Sequence, residues 1–328
     1  MNWKKLKIYC TPEAVEILSA VLLDIGITGF IINDPNTIDE LYNNEHSHWA
    51  YIDDDLENYK NFDCNVEVYF PQDEQGIENL LSVQSAVKVL KDHDFGFDLG
   101  SLEFEYDEAD DKLWLNDWKK YFKPIKIGEA FYIKPSWETI TEKHNRYVIE
   151  MDPANSFGSG THATTQLCLA AFENIYDKSQ NINVLDLGCG SGILGIGAAL
   201  SGVKNITFAD IDLHCTQTAK ENAANNNLNL DNLNFVCGNI LTDSSLIEKI
   251  GSNKYDIVFA NIMAEILIEM SPVLERFLKE KGYIILSGII TQRLEAVQQA
   301  FIKEGYVIIS VDIKDDWCAV VMQKQCFT

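Results

Sequence analysis

The segment Val184-Leu185-Asp186-Leu187-Gly188-Cys189-Gly190-Ser191-Gly192 has the residue types of a ligand-binding turn: a short apolar run, then three glycines at alternate positions, then another apolar stretch. Glycines so spaced let backbone N–H groups approach a ligand that side chains would hold away. Gly190-x-Gly192-x-x-Gly195 matches the dinucleotide fingerprint, and the acidic pair Asp210 and Asp212 follows about 20 residues later, where a carboxylate holds ribose hydroxyls. NAD and S-adenosylmethionine would both use that carboxylate, so Asp186 is what separates them. A pyrophosphate on the turn would face the Asp186 charge, an unfavourable pairing. S-adenosylmethionine carries no phosphate and presents an ammonium and a sulfonium, which the same charge favours. No Lys-Ser or Lys-Thr follows the glycines, which excludes a P-loop.

A second constellation is Met151-Asp152-Pro153-Ala154-Asn155-Ser156-Phe157-Gly158-Ser159-Gly160-Thr161-His162-Ala163-Thr164-Thr165. Thr161 or Thr164 could serve simply as a helix cap. Phe157 among small residues, with several hydroxyls ahead of a helix start, reads instead as a lid over a ligand. A third is Tyr255-Asp256-Ile257-Val258-Phe259-Ala260-Asn261-Ile262-Met263-Ala264, which places Asn261 at the carboxyl edge of a strand. Enzymes that methylate nucleobase or amide nitrogens carry Asn-Pro-Pro-aromatic there. Ile262-Met263 replaces both prolines, which favours an aliphatic amine. No histidine or glutamate in these motifs stands out as a general base, and His162 reads equally as a secondary candidate or as a helix-start residue.

These residues need strands to end where they begin. Strand-like runs at Val184 to Leu187, Ile206 to Ile211, Asn234 to Cys237, Ile257 to Ala260 and Gly282 to Leu286 alternate with helices, and two more follow at Tyr306 to Val311 and Cys318 to Gln323. Such alternation predicts a doubly wound, Rossmann-like parallel sheet with its ligand at the carboxyl ends of the strands. Upstream, Trp3 to Cys10, a helix from Pro12, Phe30-Ile31-Ile32, runs at His48 to Ile52 and Asn65 to Phe70, a helix spanning Ile77 to Leu90, and Leu102 to Tyr106 suggest a ferredoxin-like α+β domain of βαββαβ order. Residues 33 to 47 read as a loop or insertion. Leu113, Trp114, Trp118, Tyr121 and Phe122 crowd aromatics onto a short helix that reads as a connector. The expected division is 1–109 for the small domain, 110–140 for the connector and 141–328 for a class I methyltransferase domain.

The chain has 328 residues and a net charge of −24, with 46 % hydrophobic residues, enough for real cores and too many for disorder. Residues 1–120 hold nine basic and 26 acidic side chains, so most of the negative field lies there. Such a surface repels phosphate backbones and attracts basic partners, so no direct nucleic-acid contact is expected for that part. No apolar run approaches the ~18 residues of a membrane span, and the start has no signal-peptide pattern, so a cytoplasmic protein is expected. The eight cysteines form no CxxC and no zinc-spaced cluster; reduced, mostly buried thiols and no metal are expected.

Asp152 to Thr165, Asp186 to Gly192, Phe208-Ala209-Asp210-Ile211-Asp212 and Ala260-Asn261-Ile262-Met263-Ala264 closely resemble the ribosomal protein L-eleven methyltransferases (PrmA). Asn116-Asp117-Trp118-Lys119-Lys120-Tyr121-Phe122-Lys123-Pro124, with Ile127-Gly128 and Ile133-Lys134-Pro135-Ser136-Trp137, is similar to that family's connector. The resemblance is strong from about residue 110 onward, and in the first 110 residues it is one of layout. It implies a two-domain enzyme that methylates lysine and N-terminal amines of a basic ribosomal protein with S-adenosylmethionine. Thr165, Gly188, Asp210 and Asn261 would contact the donor, joined by Gly190 of the glycine turn, and Asn261 would orient the amine. The chain departs from the family at Ala154-Asn155-Ser156, in place of a glycine followed by small apolar residues, and at Ser159, in place of threonine. A monomer is the default expectation. The alternatives are a class I methyltransferase for another protein amine or a small molecule, an NAD-dependent oxidoreductase, and a non-catalytic binding module.

Overall fold

The computed structural model describes residues 3–27, 29–35, 63–71, 74–92, 97–106, 123–152, 160 and 162–325. The expected strand at His48 to Ile52, most of the 33–47 insertion, the aromatic connector helix and residues 153–159 of the lid lie outside them. The chain divides into two compact units, Met1–Phe122 and Lys123–Thr328.

In the first unit, β1 (Trp3–Tyr9), α1 (Val15–Asp24), β2 (Phe30–Asn33), β3 (Asn65–Pro71), α2 (Glu74–Asp92) and β4 (Phe104–Tyr106) form a sheet of order β2-β3-β1-β4 with antiparallel neighbours. Period-2 alternation explains its two faces. Leu6 and Ile8 pair with Val68 and Val66 inside a core completed by Leu18, Leu22 and Val87, while Lys5 and Lys7 fall on the other face beside Glu67. Helix α1 stops at Gly26, whose φ of +83° lets Ile27 N–H reach Leu22 O at 2.8 Å. Strand β4 starts two residues later than its alternation suggests, because Gly100 and Leu102 both have left-handed backbone.

The second unit opens with a small sheet of β5 (Ile125–Ile127), β6 (Phe131–Lys134) and β7 (Tyr147–Glu150), in the order β5-β6-β7. Its main sheet has seven strands in the order β10-β9-β8-β11-β12-β14-β13: β8 (Asn183–Leu187), β9 (Asn205–Asp210), β10 (Leu233–Cys237), β11 (Tyr255–Asn261), β12 (Leu278–Ile290), β13 (Tyr306–Lys314) and β14 (Trp317–Lys324). The helices are α3 (Ala163–Ile175), α4 (Ile193–Leu200), α5 (Leu213–Asn225), α6 (Ser244–Ile250), α7 (Ala264–Leu274) and α8 (Leu294–Lys303). Alternate residues of the central strands enter different cores. Val184, Ile257 and Phe259 join the cluster containing α3 to α5, and Leu185, Val258 and Ala260 join that of α6 to α8. Burial on both faces is why these strands read as continuous apolar runs.

Strands β8 to β12 are parallel as expected, but the last pair is an antiparallel hairpin. The cause is local: Asp315 and Asp316 take φ of +49° and +64°, a two-residue turn of the kind that reverses a chain, whereas a parallel return needs a long crossover.

Candidate active site

The site is built where β8, β9 and β11 end. After Leu187 the chain turns through Gly188, Gly190 and Gly192 at φ of +65°, +50° and +79°, backbone that side chains rarely tolerate. Gly188 N–H and Cys189 N–H both donate to Ala209 O, at 2.8 and 3.1 Å, so the turn wraps the end of β9. A Cβ on Gly192 would lie 2.8 Å from Ala219 Cβ on α5, and one on Gly188 would overlap Ile262 Cγ2, next to Asn261. The glycines therefore allow the turn to sit tightly between α5 and the end of β11.

The acidic pair after β9 divides its work. Asp210 Oδ2 accepts Gly190 N–H at 2.9 Å, and its Oδ1 accepts Asp212 N–H at 3.0 Å. Each oxygen keeps a second lone pair, so the carboxylate can still receive hydroxyl donors. Asp212 caps α5 by accepting His214 N–H at 2.8 Å. Exposed Ile211 and Leu213 flank Asp210, and Gly238 N–H reaches Asp210 O at 2.9 Å. This apolar rim escaped the sequence reading, whose only signal for it is the alternation of acidic and apolar residues from Asp210 to Leu213.

Asp186 has a different role from the one its charge suggested. It is 1 % exposed, and its Oδ2 accepts Gly195 N–H at 2.8 Å. Helix α4 has Gly192 as its N-cap, which offers no side chain, so Asp186 supplies the missing acceptor from the neighbouring strand. Burial first, and then the charge of Asp210, push its carboxyl up to about 7, with the Gly195 amide pulling the other way.

Asn261 pairs with Ser287 of β12, and Ile262 N–H donates to Ser287 O at 3.2 Å. Among the described residues its carboxamide takes no hydrogen-bond partner, although it stands half-buried at the strand end. Gly288, at φ +79°, packs so close to Ile262 O that a Cβ there would overlap it, which clamps the Asn261–Ile262 backbone. Thr165 is buried in the first turn of α3, and the Ser287 hydroxyl beside Asn261 donates to Cys318 O at 2.8 Å. His162 caps α3, with its Nδ1 3.4 Å from Thr164 N and 2.8 Å from Thr164 Oγ1, while its ring packs edge-on against Trp317 at 4.8 Å.

Asp152 and Gly160, which bound the segment expected to form a lid, are both anchored. Asp152 accepts Ser136 N–H and Oγ–H at 2.7 and 2.8 Å, joining two motifs that the sequence keeps apart. A Cβ on Gly160 would lie 2.5 Å from Ile133 Cδ1 and 2.7 Å from Ile193 Cδ1, so this residue is pressed against the start of α4. Two asparagines of α5 and its C-terminus brace the end of β7 and the glycine turn, and sequence reasoning missed both. Asn226 exchanges two 2.8 Å hydrogen bonds with the backbone of Glu150, and Asn222 Nδ2 donates to Ser191 O at 2.9 Å. Among the described residues no group of three or more His, Cys, Asp or Glu could hold a metal, and no helix is long and apolar enough to cross a membrane. The seven described cysteines are free thiols, five of them buried.

Residues 2–325 match the family model described as ribosomal protein L11 methyltransferase (PrmA). The chain is 34 % identical over 325 residues to the ribosomal protein L11 methyltransferase of Thermoanaerobacter pseudethanolicus, covering 99 % of this chain and 100 % of the relative. It is 35 % identical over 321 residues to that of Alkaliphilus oremlandii, covering 98 % of each. A crystal structure of ribosomal protein L11 methylase from Lactobacillus delbrueckii subsp. bulgaricus aligns with a TM-score of 0.56 at 30 % identity, over 62 % of this chain and 100 % of that one.

Proposed function

The chain belongs to the ribosomal protein L11 methyltransferase family, and from that premise we propose how its geometry carries out S-adenosylmethionine-dependent methylation of ribosomal protein L11. The acceptors are read as lysine and N-terminal amines. S-adenosylmethionine supplies a methyl group already activated on a sulfonium. The protein's task is therefore to hold the donor and align an amine lone pair behind that methyl.

The residues at the edge of the sheet fit such a donor. The left-handed glycine turn leaves a cradle without side chains, Asp210 retains lone pairs for ribose hydroxyls, and Ile211 and Leu213 offer an apolar flank for a base. Thr165, Gly188, Gly190, Asp210 and Asn261 are the proposed donor contacts. The observation that carries the reading is Asn261, a half-buried carboxamide with no partner among the described residues, beside the Gly188 turn. Its carbonyl can accept one N–H of the incoming amine and so aim the lone pair. An ordinary lysine, with pKa about 10.4, must first lose a proton. His162 is the secondary candidate for that proton, and equally the cap of α3 that accepts Thr164 N–H. Water is the proposed proton acceptor.

The N-terminal unit, in the ferredoxin-like reading of its βαββαβ order, is the proposed holder of the basic substrate, through the acidic field of residues 1–120. A cytoplasmic monomer without direct nucleic-acid contact completes the proposal. The test is the intact mass of L11 after incubation with enzyme and S-adenosylmethionine, in which whole methyl increments are expected. Unchanged mass, together with tight binding of NAD and none of S-adenosylmethionine in titration calorimetry, would replace this reading with the oxidoreductase.

A further inference from the structure

The seven-stranded sheet ends on β13, so one side of this nine-residue strand has no strand neighbour among the described residues. Edge strands are usually kept from pairing by charges, prolines or shortness. Here no charge appears before Asp312, and Ile308, Ile309, Val311 and Ile313 are 38 %, 49 %, 36 % and 59 % exposed. The register sets Ile308, Val311 and Ile313 opposite Met322, Val320 and Cys318, all three of which belong to the core under α7 and α8. The apolar row on β13 thus continues that core face outward to solvent. A bulge between Ile308 and Ser310 leaves the strand regular from Ser310 to Lys314.

The strand runs toward the same edge of the sheet as the glycine turn. There its tip carries three exposed carboxylates, Asp312, Asp315 and Asp316. The tip's cation, Lys314, is held by Gln166 Oε1 at 2.5 Å, in the first turn of α3 beside Thr165. The hairpin tip is therefore tied to the helix that supports the donor site.

We propose that β13 is a docking edge for an extended, lysine-bearing segment of the protein substrate, laid alongside it as an added strand with apolar residues at alternate positions over Val311 and Ile313. The inference rests on the methyltransferase reading above. Charge complementarity selects this occupant: the acidic tip attracts a basic segment, whereas a second copy would bring another −24 against the first.

Two variant sets test it. Val311→Lys with Ile313→Lys places charges on the apolar row. Asp312→Asn with Asp315→Asn and Asp316→Asn neutralises the tip, asparagine being chosen because it tolerates left-handed backbone. Each set is expected to raise KM for L11 about tenfold, the equivalent of about 1.4 kcal/mol, with kcat, donor affinity and melting temperature unchanged. Hydrogen exchange of the Ile308 to Lys314 amides should slow when L11 is added to the parent enzyme, a readout that needs no turnover. If the parent methylates L11 while both variant sets keep its KM and β13 gains no protection, the docking edge is wrong and the functional reading stands. If the parent binds L11 with β13 protected but transfers no methyl group, the functional reading fails instead. A parent dimer that the lysine variants convert to monomers would assign the edge to a second copy and overturn the proposal.

Discussion

The Asp186 carboxylate and the backbone N–H of Gly195 meet at 2.8 Å beneath the glycine turn, and this one bond couples the end of β8 to the start of α4. Because burial raises the Asp186 carboxyl to about 7, the folded protein keeps a proton there that the unfolded chain has already released. The folded state then binds more protons than the unfolded one, and stability falls as pH rises from about 4 to about 7 and levels off above. Asp186→Asn removes the titration. In denaturant unfolding, the stability difference between parent and variant should shrink across that window by a few kcal/mol and then stay flat. Parallel pH profiles for the two proteins would show that Asp186 does not titrate there.

Gly188 and Ile262 make a separable pair. Gly188→Ala incurs the left-handed backbone penalty, about 1–2 kcal/mol, and drives its Cβ into Ile262 Cγ2, displacing the segment that carries Asn261. Ile262→Ala relieves the overlap and leaves the backbone penalty. The double variant should therefore recover donor affinity lost by Gly188→Ala without recovering all of its stability, as read by calorimetry and thermal melts. Strict additivity of the two losses would remove Ile262 from the explanation.

Asn226 acts at a distance from the chemistry. Its side chain pairs with the Glu150 backbone much as a strand neighbour would, just before the lid begins. Asn226→Ala leaves those backbone groups without their partners, at a cost of about 2–3 kcal/mol. Loosening the end of β7 should also raise the KM for the donor more than it lowers kcat. A loss of stability with unchanged kinetics would make Asn226 a fold residue only.

What could be read in advance follows from how local each signal is. The central strands announce themselves because burial on both faces makes Val184 to Leu187 and Ile257 to Ala260 continuously apolar. That Asp210 and the glycine turn share one edge is legible too, because β8 and β9 are adjacent and parallel and each motif stands at the end of its strand. The Gly190 N–H to Asp210 bond itself is a fact of turn geometry. The role of Asp186 is not legible, since its partner depends on α4 lacking a capping side chain, a fact of packing. Asn222 and Asn226 were hidden for the same reason: a side chain that serves a remote backbone leaves no periodic trace. The terminal hairpin did leave one, in the turn residues Asp315-Asp316, but alternation of helices and strands was read as parallel to the end.

Asn261→Ala tests the alignment of the amine. If the free carboxamide positions the lone pair, its loss should lower kcat by about a hundredfold, the scale expected for misplacing a reacting group by about 1 Å. The KM for L11 should change little, because the proposed holding surfaces for that protein lie elsewhere. Single-turnover rates separate this outcome from slowed product release. Intact turnover and donor affinity in the variant would dismiss Asn261 from the mechanism.

The charge asymmetry gives the last expectation. Residues 1–120 carry 26 acidic and nine basic side chains, a field whose reach shrinks from about 30 Å at 0.01 M salt to about 8 Å at physiological ionic strength. Attraction of a basic protein by such a field acts mainly on association, so KM for L11 should climb steadily with added salt. In the proposed site the donor contacts, the backbone turn and the Asp210 carboxylate, act at close range, where screening is weak, so donor affinity should hardly move. Steady-state kinetics across a salt series, beside calorimetry with the donor alone, separates the two. Equal salt sensitivity of both ligands would mean that the acidic residues serve solubility and that the N-terminal unit holds the substrate, if at all, by other contacts.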